Sequence, residues 1–210
     1  MFRELAARRK QSTELPLKTV LREHRAASML TAGMTWCLSG AVVVVILMTP
    51  SYLQTVHHLP AKLVMQANCA GTLMLTIGCL AIGWLCDRIG TRASMIIGWG
   101  GLGLSTWWFY GQLPGSPESL IWGYALVGLF VGSISLTPIV STRAFPPAVR
   151  FTGLSFAYNM AYAIFGGLTP VLISLWIKAD PQGPALYVIG LSILGVLLAF
   201  VPMSSKGYRA

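Results

Sequence analysis

Six uncharged stretches, residues 26–50, 63–85, 94–110, 119–140, 152–177 and 185–202, dominate this chain, and none contains Asp, Glu, Lys or Arg. A helix needs roughly 20 largely apolar residues to cross about 30 Å of hydrocarbon, and lipid satisfies no free backbone N–H or C=O. The stretches are too long for strands, and the short alternating segments of a membrane barrel are not what they resemble. The pattern predicts an all-α integral membrane protein with six transmembrane helices. Composition agrees, since only 10% of the 210 residues are charged, against roughly a quarter in a soluble domain.

The fifteen Lys and Arg residues give the orientation. Arg3, Arg8, Arg9, Lys10, Lys18, Arg22 and Arg25 precede the first span, Arg88 and Arg92 follow the second, Arg143 and Arg150 follow the fourth, and Lys206 and Arg209 end the chain. Only Lys62 and Lys178 fall in the alternate connections. The positive-inside rule then places both termini in the cytoplasm, as in a multi-pass protein of a bacterial inner membrane. The net charge of +9 borders anionic leaflets and forms no groove-sized patch, so nucleic acid is not an expected partner. The chain divides into three regions: a basic leader over 1–25, a bundle over 26–203 and a cytoplasmic tail over 204–210. The leader is not expected to be a cleaved signal peptide, because the apolar run behind it is a full span. Leu17, Val20 and Leu21 beside Lys18, Arg22 and Arg25 fit a short helix on the cytoplasmic face, or a disordered basic leader.

Cys37, Cys69, Cys79 and Cys86 lie in or at the ends of spans with no C-x-x-C pair; they are expected to be small packing residues, with neither disulfide nor metal, and no cofactor is expected. All six acidic residues (Glu4, Glu14, Glu23, Asp87, Glu118 and Asp180) sit in termini or loops, so no carboxylate at membrane depth is available to couple a proton. His57 and His58 share an outer loop, as pH-sensing or simply solvated groups. No nucleophile and base, and no ligand cluster, come together at membrane depth, so an enzyme is not expected.

The connection after the second span reads GWLCDRIGTR, with Gly83, Asp87, Arg88, Gly90 and Arg92 in a G-x-x-x-D-R-x-G-x-R pattern. This resembles the loop signature of the major facilitator superfamily, found on the cytoplasmic side between the second and third helices of each six-helix half. It departs from the pattern at Thr91, commonly basic there. Chemically such a loop can latch: the carboxylate of Asp87 suits a neighbouring helix N-terminus, while Gly83 and Gly90 permit close approach and a tight turn. The bland alternative is an interfacial charge pair marking the membrane boundary. RFTGLSFAYNMAYAIFGGLTPVL resembles the eleventh helix of the metabolite:proton symporter branch, which carries proline/betaine, shikimate, citrate and α-ketoglutarate. The matching positions are Arg150, Tyr158, Asn159, Phe165, Gly166, Gly167 and Pro170. The resemblance covers the whole chain and implies the second six-helix half of such a carrier, with the leader standing as its central loop.

Along the fifth span, Ser155, Tyr158, Asn159, Tyr162, Gly166 and Thr169 or Pro170 recur at three- and four-residue steps. One face is therefore polar, expected to point into the bundle, where it lines a water-accessible path or bonds to another helix. Gly166, Gly167 and Pro170 are expected to weaken this helix, a device common near transporter sites. Asn68, Thr72 and Thr76, with Gln66 near the outer end, make a similar stripe on the second span and are also expected to face the bundle. The third and sixth spans look nearly featureless, on the lipid side in the resembled architecture. Gly98, Gly100, Gly101, Gly103, Gly128 and Gly132 are read as packing positions. Trp36, with Thr31, Thr35 and Ser39, lies on the first span, and Tyr124, with Ser133 and Thr137, on the fourth. In the resembled fold these helices line the cavity, where Trp36 and Tyr124 either box an apolar or cationic moiety or serve as packing.

The expected function is that of a secondary carrier, proton-coupled when complete, for a small polar solute. The expected partners are the bilayer, the solute, protons, and either an N-terminal six-helix half or a second copy. A six-helix half supplies one wall of the path, so a non-transporting truncated product or a membrane scaffold subunit is the alternative.

Overall fold

The computed structural model describes residues 22–112 and 119–201, together with Val20, and these are helical apart from short connections. In chain order the helices are α1 (Arg25–Thr55), α2 (Ala61–Ile89), α3 (Thr91–Gln112), α4 (Leu120–Ala144), α5 (Arg150–Ala179) and α6 (Gly183–Leu198). Each coincides with one of the six uncharged stretches. Four of them, α1, α2, α4 and α5, are long and apolar enough to cross a membrane; α6 is apolar but has 16 residues, about 24 Å of helix.

Three prolines shape the spans. Proline lacks the N–H that would bond the carbonyl four residues back, and its ring crowds that turn. In α1 the turn before Pro50 is a π-helix, Val42–Met48; in α4 the turn before Pro138 is a 3₁₀ segment, Gly132–Ser135; in α5 the turn before Pro170 is a π-helix, Tyr162–Gly166. In every case the residue four before the proline lies inside the irregular segment, so the chain changes its winding rather than breaking. The weak point expected at Gly166 and Gly167 is therefore a π turn in a continuous helix.

α1 and α4 form the centre, with 61% and 56% of their most apolar windows buried, whereas α2 and α5 have 22% and 17%. Met34, Trp99, Leu102, Tyr110, Tyr124 and Leu136 fill the core. α2 and α4 meet backbone to backbone: a Cβ at Gly128 would strike the main chain at Gly71, and one at Gly132 the main chain at Gly78 and Cys79. Only glycine permits that approach. Gly98, Gly101 and Gly103 also face neighbours, but Gly100 has open space beside it, so its assignment to packing is corrected. At the first helix Val20 is buried with Phe145 and Ala157, which ties the end of the leader to the base of α4 and α5. Leu17 and Leu21 lie outside the described residues, as does the tail. Cys37 and Cys86 are buried, Cys79 is half-buried and Cys69 is exposed; all four are free thiols.

Candidate functional site

The carbonyls released at the π turns are taken up by side chains. Thr169, directly before Pro170, donates its hydroxyl to the Phe165 carbonyl at 2.6 Å and so can accept from Tyr187 of α6 at 2.8 Å. The Tyr187 oxygen in turn accepts from the indole Nε1–H of Trp36 at 2.9 Å. A directed chain thus runs from α1 through α6 into α5, with one proton for every bond. The Trp36 ring stacks on Phe165, centroids 4.3 Å apart and planes 9° apart. Tyr162 and Tyr158 stack at 5.8 Å on the same helix. A Cβ on Gly166 would lie 3.3 Å from the Tyr162 ring and 3.7 Å from Ser39 of α1, so Trp36, Phe165, Tyr162, Gly166 and Ser39 share the α1–α5 crevice.

A second cluster repeats the device at the C-terminal end of α1. Thr49, directly before Pro50, donates to the Val44 carbonyl at 2.8 Å and lies 2.7 Å from the Tyr110 hydroxyl of α3. Tyr124 of α4 donates to the freed Val45 carbonyl, and its hydroxyl lies 3.0 Å from the side-chain oxygen of Asn68. Tyr124 is fully buried here, in keeping with the packing alternative of its two readings, with its hydroxyl engaged at the π turn. Beyond, in the α1–α2 loop, His57 Nε2 lies 3.1 Å from the Tyr52 hydroxyl. Burial, and then the neighbouring His58, hold the His57 imidazole below its ordinary value of 6.5.

The polar stripes do not point into the packed interior of this chain. Thr72 and Thr76 are exposed and return their hydroxyls to the carbonyls of Asn68 and Thr72. Asn159 is exposed with its amide on the Ser155 carbonyl, Tyr162 is exposed, and Tyr158, Ser155 and Gly166 are half-buried. Gly167 is exposed with open space around it. The expectation of bundle-facing stripes is corrected for Thr72, Thr76, Asn159 and Tyr162, which are exposed among the described residues. Asn68, toward Tyr124, and the buried Thr169, toward Tyr187, are the stripe residues that reach a neighbouring helix through a side-chain hydrogen bond among the described residues.

Between α2 and α3, Gly90 turns the chain at φ 86°, a left-handed conformation that favours glycine. Gly83 has nothing within 4 Å of an added Cβ, so the close approach expected there is absent. Asp87 is exposed and makes no hydrogen bond or ion pair with a described residue. The side chain that engages this loop is Arg143 of α4, donating to the Thr91 hydroxyl at 2.6 Å, while Cys86 reaches the same oxygen at 3.4 Å. Arg88 lies over the Trp84 ring at 5.3 Å and Arg92 over Phe200 at 4.5 Å.

Tyr187 and Tyr110 were not given a site role by the sequence, and Phe165 entered only as a position of the family resemblance. The signal was the Thr–Pro dipeptide, which at 49–50 and 169–170 marks where a tyrosine finds a threonine already committed as donor; at 137–138 Thr137 instead donates to the Met34 carbonyl of α1 at 3.4 Å.

No family model matches the chain, and no solved structure matches it. Among curated proteins it is 31% identical over 165 residues to the protein named as a proline/betaine transporter in Staphylococcus aureus (strain COL), an alignment covering 75% of this chain and 35% of that protein. It is 32% identical over 178 residues to the citrate-proton symporter of Salmonella typhi, covering 77% and 39%. Against the citrate-proton symporter of Klebsiella pneumoniae it is 30% identical over 202 residues, covering 85% and 44%. The chain therefore spans less than half the length of the relatives it matches. These relatives bear out the family its motifs resemble: the chain belongs to the metabolite:proton symporters of the major facilitator superfamily.

Proposed function

We propose that this chain is the C-terminal half of a secondary carrier that moves a small organic solute together with protons, six helices spanning a bacterial inner membrane with both ends in the cytoplasm. The observation that carries the reading is the contrast between its long helices. α1 and α4 are packed on most sides, while α2 and α5 bury only 22% and 17% of their apolar windows and keep Thr72, Thr76, Asn159 and Tyr162 uncovered. Hydroxyls and amides on a membrane helix are costly against lipid. A second wall of six helices, rocking against this one around a midplane site, would cover them.

The relatives support a solute and proton cargo, because their names are those of proline/betaine and citrate-proton carriers. Asp87 stands in the last turn of α2 and Asp180 directly after α5, both at helix ends and away from the middle of the spans, so in this reading the coupling group belongs to the other wall. In this reading Gly83, Asp87, Arg88, Gly90 and Arg92 form the cytoplasmic gate loop, with Asp87 free to meet a helix of the partner half. Trp36, Asn68, Thr72, Tyr124, Ser155, Tyr158, Asn159, Tyr162, Gly166 and Gly167 line or support the path. Co-expression with a matching N-terminal six-helix half, followed by uptake under an imposed proton gradient, is the test. Accumulation by the pair and none by this chain alone is expected; accumulation by this chain alone overturns the half-carrier reading.

A further inference from the structure

The π turn of α1 decides which way round the Asn68 amide sits. A tyrosine hydroxyl carries one proton, and that of Tyr124 goes to the Val45 carbonyl, the closer of its two partners. Thr49 has committed its own proton to the Val44 carbonyl. The Tyr124 oxygen can therefore only accept from Asn68, 3.0 Å away. The two edges of a side-chain amide have the same shape, and only the NH2 edge brings a proton. With Oδ1 toward Tyr124, two acceptors would share one proton while the NH2 stayed unbonded. Turned over, the amide donates to Tyr124, and each hydroxyl proton at the π turn keeps one acceptor.

The consequence lies on the other edge of the amide. Asn68 is half-buried, so with its NH2 against Tyr124 its Oδ1 stands toward the side of α2 left uncovered, where no described residue donates to it. The next two turns continue the same polarity: Thr72 and Thr76 are exposed, and their protons are committed to the carbonyls of Asn68 and Thr72. Three successive turns thus offer lone pairs outward. A threonine bonded to its own helix is satisfied against lipid, whereas a bare amide oxygen is not. Asn68 lies six residues, about 9 Å, from the middle of the uncharged run 63–85. That is off the midplane where a carrier holds its cargo, so the group that meets Oδ1 belongs to the covering wall. We propose that Asn68 is a docking contact of this chain, its NH2 held by Tyr124 and its Oδ1 taking a hydrogen-bond donor, an amide, hydroxyl or cationic side chain, from a helix of the N-terminal half.

The partner named here rests on the half-carrier reading, but the first arm of the test needs no partner. Asn68 and Asn159 are the only asparagines of the chain, so asparagine-selective 15N labelling of the unaltered full chain in lipid nanodiscs gives two side-chain NH2 signals, assigned with Asn159→Gln. The Asn68 NH2 is expected to show a nuclear Overhauser contact to tyrosine ring protons that is lost in Tyr124→Phe. Its absence from the unaltered chain overturns the inference and leaves the half-carrier reading standing. The second arm measures the affinity of the chain for a matching N-terminal six-helix half, by energy transfer between the two labelled halves in lipid vesicles. Asn68→Leu is expected to weaken it at least about 5-fold, because a donor of the other wall is left buried and unpaired. Tyr124→Phe keeps the outward oxygen and is expected to stay within about 2-fold; the melting temperature of each variant alone is the folding control. Unchanged affinity in a folded Asn68→Leu overturns the docking contact. If that variant instead loses only solute-driven uptake, Oδ1 meets the cargo and the proposal is equally overturned. Unaltered halves that do not associate sink the half-carrier reading, while the Overhauser contact still decides how Asn68 is held.

Discussion

The Tyr187 hydroxyl accepts from Trp36 of α1 and donates toward Thr169 of α5, so removing it unpairs two groups on two helices while the ring keeps its place against Gly40. Hydrogen bonds between membrane helices contribute about 0.6 kcal/mol on average and soluble ones about 1 kcal/mol. Tyr187→Phe is therefore expected to cost about 1 kcal/mol and to lower the melting temperature by a few degrees, whereas Tyr187→Leu should cost more because the ring is lost too. An unchanged melting temperature in Tyr187→Phe would show that the bonds are replaced. In the α1–α2 loop His57 acts through charge. Its imidazole lies beside the Tyr52 hydroxyl and next to His58, with a value held below 6.5 by burial first and His58 second. Because the unfolded loop takes up the proton first, the stability this group contributes is fully present above about 6.5 and is lost as pH falls through the lowered value. Hydrogen exchange of the amides at 53–59, corrected for intrinsic rates, should speed up on going from about pH 7 to about pH 5, and His57→Gln should flatten the difference.

At the scale of elements, glycine and proline set how the helices meet. Gly132 of α4 lies against the backbone of Gly78 and Cys79, where a methyl group has no room, while Gly100 of α3 has open space. Gly132→Ala is expected to force α2 and α4 apart and to destabilise by about 1–3 kcal/mol, whereas Gly100→Ala should be neutral or stabilising by up to about 1 kcal/mol, since alanine is the better helix former. Denaturation in a mild detergent series measures both, and equal effects would contradict the packing. The helical stretches themselves were legible, because an uncharged run about 20 residues long has few alternatives in lipid. The winding inside them was not. That Gly166 and Pro170 would disturb α5 can be read from residue types, but whether the chain breaks, kinks or adopts a π turn depends on which side chains reach the freed carbonyl. Here Thr169, held by Tyr187 on another helix, makes the π turn sustainable. The sixth span looked featureless for the same reason: a lone Tyr in an apolar run has no role until its neighbours are placed.

For the whole molecule the decisive feature is that α2 and α5 are both left largely uncovered, with 22% and 17% of their most apolar stretches buried. A polar stripe read from one sequence shows that a helix face avoids lipid, and the nearest inference is that it points into its own bundle. Thr76 and Asn159 do not: both are exposed among the described residues, and periodicity carries no information about which surface would cover them. The half-carrier reading turns this into a measurement. With the native cysteines replaced, Thr76→Cys and Asn159→Cys are expected to react readily with a small thiol reagent when the chain is expressed alone, since both positions are exposed. Co-expression with a matching N-terminal half should slow labelling at one or both by about 10-fold or more, as burial at a helix interface excludes the reagent. Ser94→Cys at the buried α2–α3 corner is the internal standard and should be slow in both states. If labelling at 76 and 159 stays equally fast beside the other half, the uncovered side is not where the two walls meet, and the carrier must be assembled through another face of the bundle.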